Sequence, residues 1–230
     1  IPARAGSKRL KDKNFIDFKG KPMFLHTYEA ALKTDIFDEI HISTNSKKIL
    51  QICEKNSIKV LFERPDEYCQ DDSDLNDVCR FVIENYLTKY AKTFDHFCLL
   101  WATSPLRDET DIVNAFKMFD KETNAVIAVT KFNLPVFCAQ FTDKKNFLKM
   151  HFPDMFWKRS QEMPETICNC GSMAWVKTNA FLKEGVWMPS SSKGYFLNPL
   201  KAVDIDFESD LLMANERYNL LKSDIHDNND

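Results

Sequence analysis

The sequence predicts an α/β fold with a mostly parallel central sheet. Two apolar runs of strand length, 94–101 and 125–130, have the composition of strands that are buried on both faces. A helical pattern lies between them, beginning just after Asp108 and ending near Lys121. Strands that alternate with helices at this spacing indicate βαβ units. Ligands of such sheets bind beyond the carboxyl ends of the strands, so the polar segments that follow strands are the candidate site.

The first ninety residues predict two further strands and three helices. Pro22 begins a helix that runs to about Lys33, since proline is tolerated in a first helical turn. Strands are predicted over 39–43 and 59–62, with a helix over 47–56 between them. A longer helix is predicted over 75–89.

The last sixty residues resume the same alternation. A strand is predicted over 172–176, followed by a short helix for which Thr178 suits the N-cap and Gly185 the end. A strand over 203–206 and a closing helix over 208–222 complete the pattern.

Residues 131–167 interrupt this alternation. The stretch contains three prolines and several aromatic residues that follow neither a helical nor a strand period. It is too long for a structureless loop inside a compact domain. It is interpreted either as a surface that packs on another subunit or as an irregular excursion over the sheet, within one domain that covers 1–230.

The bulk composition restricts partners and compartment. A net charge of -3 argues against nucleic acid as the main partner. The sequence contains no run of eighteen apolar residues, so no membrane span is expected. Seven cysteines, an odd number without paired CxxC motifs, favour reduced thiols in a cytoplasmic protein. The opening Ile1-Pro2 resembles the end of a strand, so a few apolar residues are expected upstream.

The opening segment is the strongest functional signal. Five of the ten residues from Arg4 to Lys13 are cationic and one is acidic, and the segment holds Gly6, one of five glycines. Small residues allow backbone N–H groups to approach a phosphate, and Lys or Arg neutralises its oxygens. The segment therefore predicts a polyphosphate loop, with a solvated basic terminus as the alternative.

A second signal is the acidic pair Asp204 and Asp206. Carboxylates at positions i and i+2 of a strand point to the same face and repel each other unless a cation lies near them. Oxygen ligands of this kind suit Mg²⁺, which keeps waters and substrate phosphates as its other ligands. A solvated acidic pair is the alternative. Together with the basic loop, the pair predicts a metal–polyphosphate site.

Two further polar segments follow predicted strands. The hydroxyls of Thr103 and Ser104 are candidates for binding a ribose, a base or an acceptor sugar, although helix-entry chemistry explains them equally well. Arg64 and Asp71 lie in a polar loop, where Arg64 can read a base edge with its planar guanidinium or form a surface ion pair.

These motifs resemble, in order, those of the acylneuraminate cytidylyltransferases, the CMP-sialic acid synthetase family. The matching segments are Ile1–Arg9 with Lys13-Asn14, Arg64-Pro65, Asp71, Thr103–Arg107, Arg159–Pro164 with Gly171, and Asp204–Asp206. The resemblance implies a Rossmann-like, three-layer nucleotidyltransferase fold. It also implies a homodimer in which an arm, here 131–167, reaches the partner's sugar site. The implied reaction joins CTP and a 2-keto nonulosonic acid to give a CMP-sugar and pyrophosphate.

The resemblance also implies roles for individual residues. Arg4 and Lys13 hold the triphosphate and stabilise the departing pyrophosphate, while Asp204 and Asp206 hold Mg²⁺ and Asp206 assists deprotonation of the sugar hydroxyl. The implied nucleotide-binding positions are Ala3, Arg4, Ala5, Gly6, Ser7, Lys13, Asn14, Arg64 and Asp71. The implied substrate-binding positions are Trp101, Thr103, Ser104, Arg159 and Gln161.

One departure from the family pattern concerns the sugar. Trp101-Ala102 stands where many sialic acid members have Gln-Pro, and an indole in place of an amide removes hydrogen bonds and adds apolar contact. This change, and the segment 159–175, favour pseudaminic acid or a related bacterial nonulosonic acid such as legionaminic acid. The alternatives are a CMP-Kdo synthetase, which typically has Lys-Pro in place of Lys13-Asn14, and a non-catalytic nucleotide-binding protein of the same fold.

Overall fold

A computed structural model describes residues 1–132 and 134–227, with backbone only for 224–227. The strands are β1 (Asp17–Phe18), β2 (Lys21–Pro22), β3 (His96–Leu100), β4 (Ala125–Lys131), β5 (Gln140–Thr142), β6 (Leu148–Met150), β7 (Ile167–Lys177) and β8 (Ser192–Phe196). The helices are α1 (Met23–Lys33), α2 (Lys47–Lys55), α3 (Leu75–Tyr90), α4 (Glu109–Phe116), α5 (Pro153–Phe156), α6 (Thr178–Glu184) and α7 (Glu208–Asp227). Short 3-10 turns lie at Lys13–Phe15, Asp66–Tyr68, Val136–Cys138 and Ser160–Glu162.

The central sheet has the strand order β3-β7-β4-β8. β4 and β8 pair in parallel, whereas β7 is antiparallel to both β3 and β4. β3, β4 and β8 therefore run in one direction and β7 runs against them. The predicted α/β fold is confirmed. The sheet is mixed rather than mostly parallel in its pairing, because both pairs that involve β7 are antiparallel.

The first residues pair in parallel with the segment 41–43. The amide of Ala3 donates to the carbonyl of Ser43 and the amide of Ser43 to the carbonyl of Ile1, each at 2.9 Å. The predicted strand over 39–43 is thus reduced to a bridge between Pro2 and Ser43. No regular strand forms over 59–62 in the described structure. Arg64 instead joins this region through its amide, which donates to the carbonyl of Thr44 at 2.8 Å.

The predicted strand over 203–206 does not form a ladder either. Its backbone is held by the amide of Ile205, which donates to the carbonyl of Thr103 at 2.9 Å. Val203 and Ile205 are buried in a core cluster with Phe18, whereas the alternating residues Asp204 and Asp206 are not buried. Burial of such side chains stabilises the fold by about 1.5–3 kcal/mol each, which explains why the alternation persists without strand pairing.

Some helix ends agree with their sequence signals and others do not. Pro22 is the N-cap of α1 rather than its first residue, and α4 ends at Phe116 rather than near Lys121. Gly185 has φ +79° at the end of α6, and its amide donates to the carbonyl of Phe181 at 2.7 Å. Asp108 caps α4 in a reciprocal capping box with Asp111. Thr178, predicted as an N-cap, is the first residue of α6 instead. The N-cap is Lys177, whose side chain makes no capping hydrogen bond.

The segment 131–167 contains its own small hairpin. β5 and β6 pair antiparallel, with Gln140 opposite Met150, and α5 follows. Several of its aromatic side chains pack on one another, such as Phe137 against Phe152 with ring centroids 5.5 Å apart. Trp157 nevertheless remains 81% exposed. This stretch is therefore ordered locally while presenting apolar surface.

Candidate active site

A cleft of about 170 Å³ lies where the opening segment, the loop after Arg64 and the end of β3 meet. Seven of the residues singled out in the sequence line it, drawn from positions as far apart as Arg4 and Thr103. The lining residues are Pro2, Arg4, Lys13, Asn14, Arg64, Tyr68, Gln70, Asp71, Ser73, Leu75, Val78, Trp101, Ala102 and Thr103.

The opening loop is shaped by backbone contacts on its inner side. Gly6 has φ +79°, a conformation that favours glycine. The amide of Ala5 donates to Asn45 Oδ1 at 3.0 Å, and the buried Asn14 donates from Nδ2 to the carbonyl of Arg4 at 2.9 Å. Ala3 is fully buried beneath the loop. These contacts fix the backbone of the loop, and two of its cationic side chains, Arg4 and Lys13, line the cleft.

Asp71 pairs with two of these cations. Its Oδ1 accepts from Arg4 Nη2 at 2.9 Å, and its other oxygen pairs with Lys8. Lys8 and Arg4 hold the pKa of the Asp71 carboxyl below its usual value. Arg4 also donates from Nη1 to the carbonyl of Cys69 at 3.1 Å, which aims its guanidinium across the cleft.

Asp206 pairs with two others. Lys13 Nζ donates to Asp206 Oδ1 at 2.5 Å, and Arg9 Nη2 lies 2.7 Å from Oδ2 in an ion pair. Arg9 also lies over the ring of Phe207, 5.3 Å from its centroid. Arg9 was not among the predicted site residues. Its position in the basic segment is the signal, but only the fold shows which of the five cations meet the acidic pair.

Asp204 has a different environment from Asp206. Thr103 Oγ1 donates to Asp204 Oδ1 at 2.6 Å, and no Lys or Arg forms an ion pair with Asp204 among the described residues. Partial desolvation raises the pKa of the Asp204 carboxyl, and the negative charge of Asp206 acts in the same direction, whereas the bond from Thr103 lowers it. A carboxylate oriented by a hydroxyl but lacking a cation is suited to binding a metal ion.

The donor set fits Mg²⁺ bound together with a substrate. No cluster of three or more His, Cys, Asp or Glu side chains that could enclose a metal occurs within the described ranges. Mg²⁺ is commonly held by one or two carboxylates, with substrate phosphates and waters as the remaining ligands. Asp204 and Asp206, beside the cationic opening segment, are carboxylates of the kind that this mode of binding uses.

Arg64 is buried and anchored below the cleft. It donates from Nε to Ser43 Oγ at 3.0 Å and from Nη2 to the carbonyl of Ser43 at 2.6 Å. Burial lowers the pKa of its guanidinium, with the positive charge of Arg4 acting in the same direction. Arg64 therefore ties the wall of the cleft to the parallel pairing of the first residues.

Trp101 forms an apolar wall at the other end. Its ring meets the ring of Trp187 edge to face, with centroids 5.3 Å apart. The amide of Trp187 donates to Asn76 Oδ1 at 2.8 Å, which fixes it against α3.

Ser104 is fully buried, and its hydroxyl has no hydrogen-bond partner in the described structure. The role of Ser104 in substrate binding remains a prediction.

A buried arginine, which sequence analysis did not assign to the site, supports the loop that carries Trp101 and Thr103. Arg107 Nη1 donates to the carbonyl of Ser172 at 2.8 Å, and Nη2 donates to Thr27 Oγ1 at 2.9 Å. Thr27 Oγ1 in turn donates to the carbonyl of Trp101 at 3.3 Å. The sequence signal for Arg107 is its place at the end of the Thr-Ser-Pro-Leu-Arg motif.

Arg159 and Gln161 are not brought to this cleft within the chain. Arg159 donates to Glu162 Oε1 from Nε and Nη2, at 2.8 and 2.5 Å, and its side chain is 82% exposed. Gln161 is exposed in the same 3-10 turn. Both belong to the stretch with the exposed aromatic residues.

A larger cavity of about 290 Å³ contains none of the predicted site residues. It runs from Ile1 past His41 towards β3 and is lined chiefly by apolar side chains. The cationic and acidic groups described above all lie outside its wall, so the smaller polar cleft is the candidate active site.

Within the described residues, no helix is both long enough and apolar enough to cross a membrane.

Comparison with known proteins identifies the class. Residues 1–161 match the family model described as Cytidylyltransferase. The chain belongs to this family and is a CTP-dependent nucleotidyltransferase, as its sequence predicts. It is 32% identical over 221 residues to the pseudaminic acid cytidylyltransferase of Campylobacter jejuni subsp. jejuni, covering 95% of this chain and 94% of the relative.

Two other curated relatives act on different sugars according to their names. The chain is 31% identical to the CMP-N,N'-diacetyllegionaminic acid synthase of Legionella pneumophila, covering 90% of this chain and 89% of that protein. It is 29% identical to the N-acylneuraminate cytidylyltransferase of Streptococcus agalactiae, covering 92% of this chain but 51% of that longer protein.

A solved structure supports the fold. The CMP:2-keto-3-deoxy-manno-octonic acid synthetase complexed with CTP superposes with a TM-score of 0.66 over 96% of this chain and 97% of that chain, at 16% identity. The predicted nucleotidyltransferase fold is therefore confirmed.

Proposed function

We propose that this cytidylyltransferase activates a bacterial nonulosonic acid with CTP, giving a CMP-sugar and pyrophosphate, and that pseudaminic acid is its preferred substrate. The observation that carries the mechanism is the meeting of the basic loop and the acidic pair. Lys13 and Asp206 are in contact at 2.5 Å although 193 positions separate them in the sequence.

The reaction needs positioning and charge neutralisation more than covalent chemistry. Arg4 and Lys13 bind the triphosphate and neutralise the charge that develops on the departing pyrophosphate. The backbone from Ala5 to Ser7 lines the phosphates, since its small residues allow close approach. To bind CTP in this way, Arg4 and Lys13 exchange their present carboxylate partners, Asp71 and Asp206, for phosphate oxygens.

Asp204 and Asp206 would hold Mg²⁺. When bound, the ion supplies positive charge to the phosphoryl oxygens and orients the groups that react. Thr103 orients the Asp204 carboxylate through its 2.6 Å hydrogen bond. Asp206 assists removal of the proton from the sugar's anomeric hydroxyl, whose oxygen attacks the α-phosphorus.

Asn14, Arg64 and Asp71 place the nucleotide. The side-chain amide of Asn14 holds the carbonyl of Arg4, a bond that proline at this position could not make. This contact argues against the Kdo-type enzymes, whose motif typically has proline there.

The sugar assignment rests on the apolar wall of Trp101 against Trp187 and on the similarity to the Campylobacter relative over nearly the whole of both chains. A tryptophan face provides apolar contact rather than hydrogen bonds, which suits a deoxygenated sugar. Arg159 and Gln161 are far more exposed than the cleft residues. We infer that they serve the sugar site of a partner subunit, carried there by the arm 131–167.

The test is pyrophosphate release from CTP and Mg²⁺ with pseudaminic, legionaminic and N-acetylneuraminic acids and with Kdo. We expect the highest kcat/KM with pseudaminic acid. The highest kcat/KM with Kdo would favour the alternative enzyme. No release with any sugar would overturn the proposed activity and leave a non-catalytic nucleotide-binding protein.

A further inference from the structure

Gly171 lies directly against the carboxylate of Asp204. The glycine has φ +60°, and a Cβ placed on it would lie 2.6 Å from Asp204 Oδ2, 3.0 Å from Cγ and 3.2 Å from Cβ. Contacts below 3.0 Å are not tolerated, so any side chain at this position requires the carboxylate to move. The Asp204 side chain therefore occupies the space that the glycine leaves free.

The carboxylate cannot move without losing its other contacts. Its Oδ1 accepts from Thr103 Oγ1 at 2.6 Å, and the neighbouring amide of Ile205 donates to the carbonyl of Thr103 at 2.9 Å. Ile205 is fully buried, which fixes the backbone that carries Asp204. Thr103 on one side and Gly171 on the other thus determine the orientation of this carboxylate.

A local irregularity of β7 brings the glycine there. Ile127 of β4 pairs with Ala174 and Val129 pairs with Asn169, so four residues of β7 oppose Ala128 alone. Within this bulge the amide of Gly171 donates to Asn169 Oδ1 at 3.0 Å rather than to β4. Bulges re-aim backbone and side chains next to active sites, and this one turns β7 towards Asp204.

We propose that Gly171 is a positioning residue for Asp204, and that its missing side chain sets the carboxylate in the orientation required to bind the divalent cation. The inference rests on the proposed metal-binding role of Asp204. The positive φ and the absent Cβ at position 171 thus serve the proposed metal site as well as the bulge in β7.

The first experiment tests the contact itself and does not involve a metal. Gly171→Ala is compared with Gly20→Ala, because Gly20 also has a positive φ, +85°, but no atom lies within 4 Å of an added Cβ. Thermal stability should fall more in Gly171→Ala than in the control. Most of that excess should disappear when Asp204→Ala is introduced as well, because Oδ2 and Cγ are then gone. An excess that persists in the double variant would overturn the contact.

Folding of the variant does not limit the test. If Gly171→Ala fails to fold, the double variant Gly171→Ala/Asp204→Ala decides: a folded double variant supports the inference, and an unfolded one contradicts it.

The second experiment tests whether Gly171 affects binding of the divalent cation. Mn²⁺ binding is measured by electron paramagnetic resonance, with CTP present and no sugar. Gly171→Ala should weaken Mn²⁺ binding about 10- to 100-fold, the range found for groups that orient metal ligands, and Gly20→Ala should not. Unchanged binding in Gly171→Ala, with a loss in Asp204→Ala, would refute the positioning role alone. Unchanged binding in Asp204→Ala would instead refute the proposed metal site.

Discussion

Lys13 and Asp206 form a direct ion pair in which Lys13 Nζ lies 2.5 Å from Asp206 Oδ1. Arg9 meets the other oxygen of the same carboxylate at 2.7 Å. The basic opening segment and the acidic pair are therefore in direct contact. The loop cations neutralise Asp206 on one side and Asp71 on the other. In the proposed complex with CTP, phosphate oxygens would replace these carboxylates as partners of Arg4 and Lys13.

Replacement of Lys13 by methionine tests the triphosphate contact. A hydrogen bond to a charged group contributes about 1.5–3 kcal/mol, so CTP affinity should fall roughly 10- to 150-fold in Lys13→Met. Lys11→Met is the matched control, because Lys11 lies two positions away and is exposed. Isothermal titration of CTP measures both. Equal losses in the two variants would mean that only the overall charge of the segment matters.

Replacement of Asn14 by leucine tests how the loop is held. The buried amide would be lost and the carbonyl of Arg4 left without its partner, at a cost of about 1–3 kcal/mol. We expect lower thermal stability together with weaker CTP binding. Asn56→Leu removes a similar amide-to-carbonyl bond, 2.8 Å to Ile52, on the exposed end of α2. Its CTP affinity should stay at the wild-type value, and a loss there equal to that of Asn14→Leu would contradict the assignment.

His41 predicts sensitivity of the fold to acid. Burial lowers the pKa of His41 from 6.5 to about 3, and the neighbouring positive charge of Arg64 acts in the same direction. Between these two values the unfolded chain binds a proton that the folded chain does not. His41 therefore lowers the free energy of unfolding as the pH falls from 6.5 towards 3, by at most about 1.4 kcal/mol per pH unit.

The variant His41→Phe keeps an aromatic ring against Phe62, whose centroid lies 4.3 Å from that of His41. Urea unfolding at a series of pH values should show a shallower acid-side slope for this variant than for the wild type. Parallel slopes would show that His41 is protonated in the folded protein.

Most of the site could be predicted from the sequence because its chemistry is local. The basic segment around Arg4 and Lys13 and the pair Asp204 and Asp206 carry their charges in short motifs. The structure brings the two motifs into direct contact through Lys13, which also lines the cleft, and Asp206. The alternation of Val203 and Ile205 also predicts correctly which side chains are buried, although no strand forms there.

The remainder depends on long-range geometry that no local pattern encodes. The sequence predicts a five-residue strand at 172–176, but β7 begins at Ile167. It pairs antiparallel with both of its neighbours, β3 and β4. The contact of Gly171 with Asp204 depends on the bulge in that strand. The selection of Arg9 rather than Lys11 as a partner of Asp206 depends on how the loop folds over the start of α7.

The most direct test of the account is phosphorus NMR of the complete reaction, with CTP, Mg²⁺ and pseudaminic acid. Asp206→Asn should form CMP-sugar and pyrophosphate about 100-fold more slowly than the wild type or worse, since charge held by a metal site contributes several kcal/mol. Glu208→Gln, which removes a nearby charge at the start of α7, should keep the wild-type rate. Wild-type turnover by a folded Asp206→Asn variant would contradict the central claim that the basic loop and the acidic pair form one metal–triphosphate site.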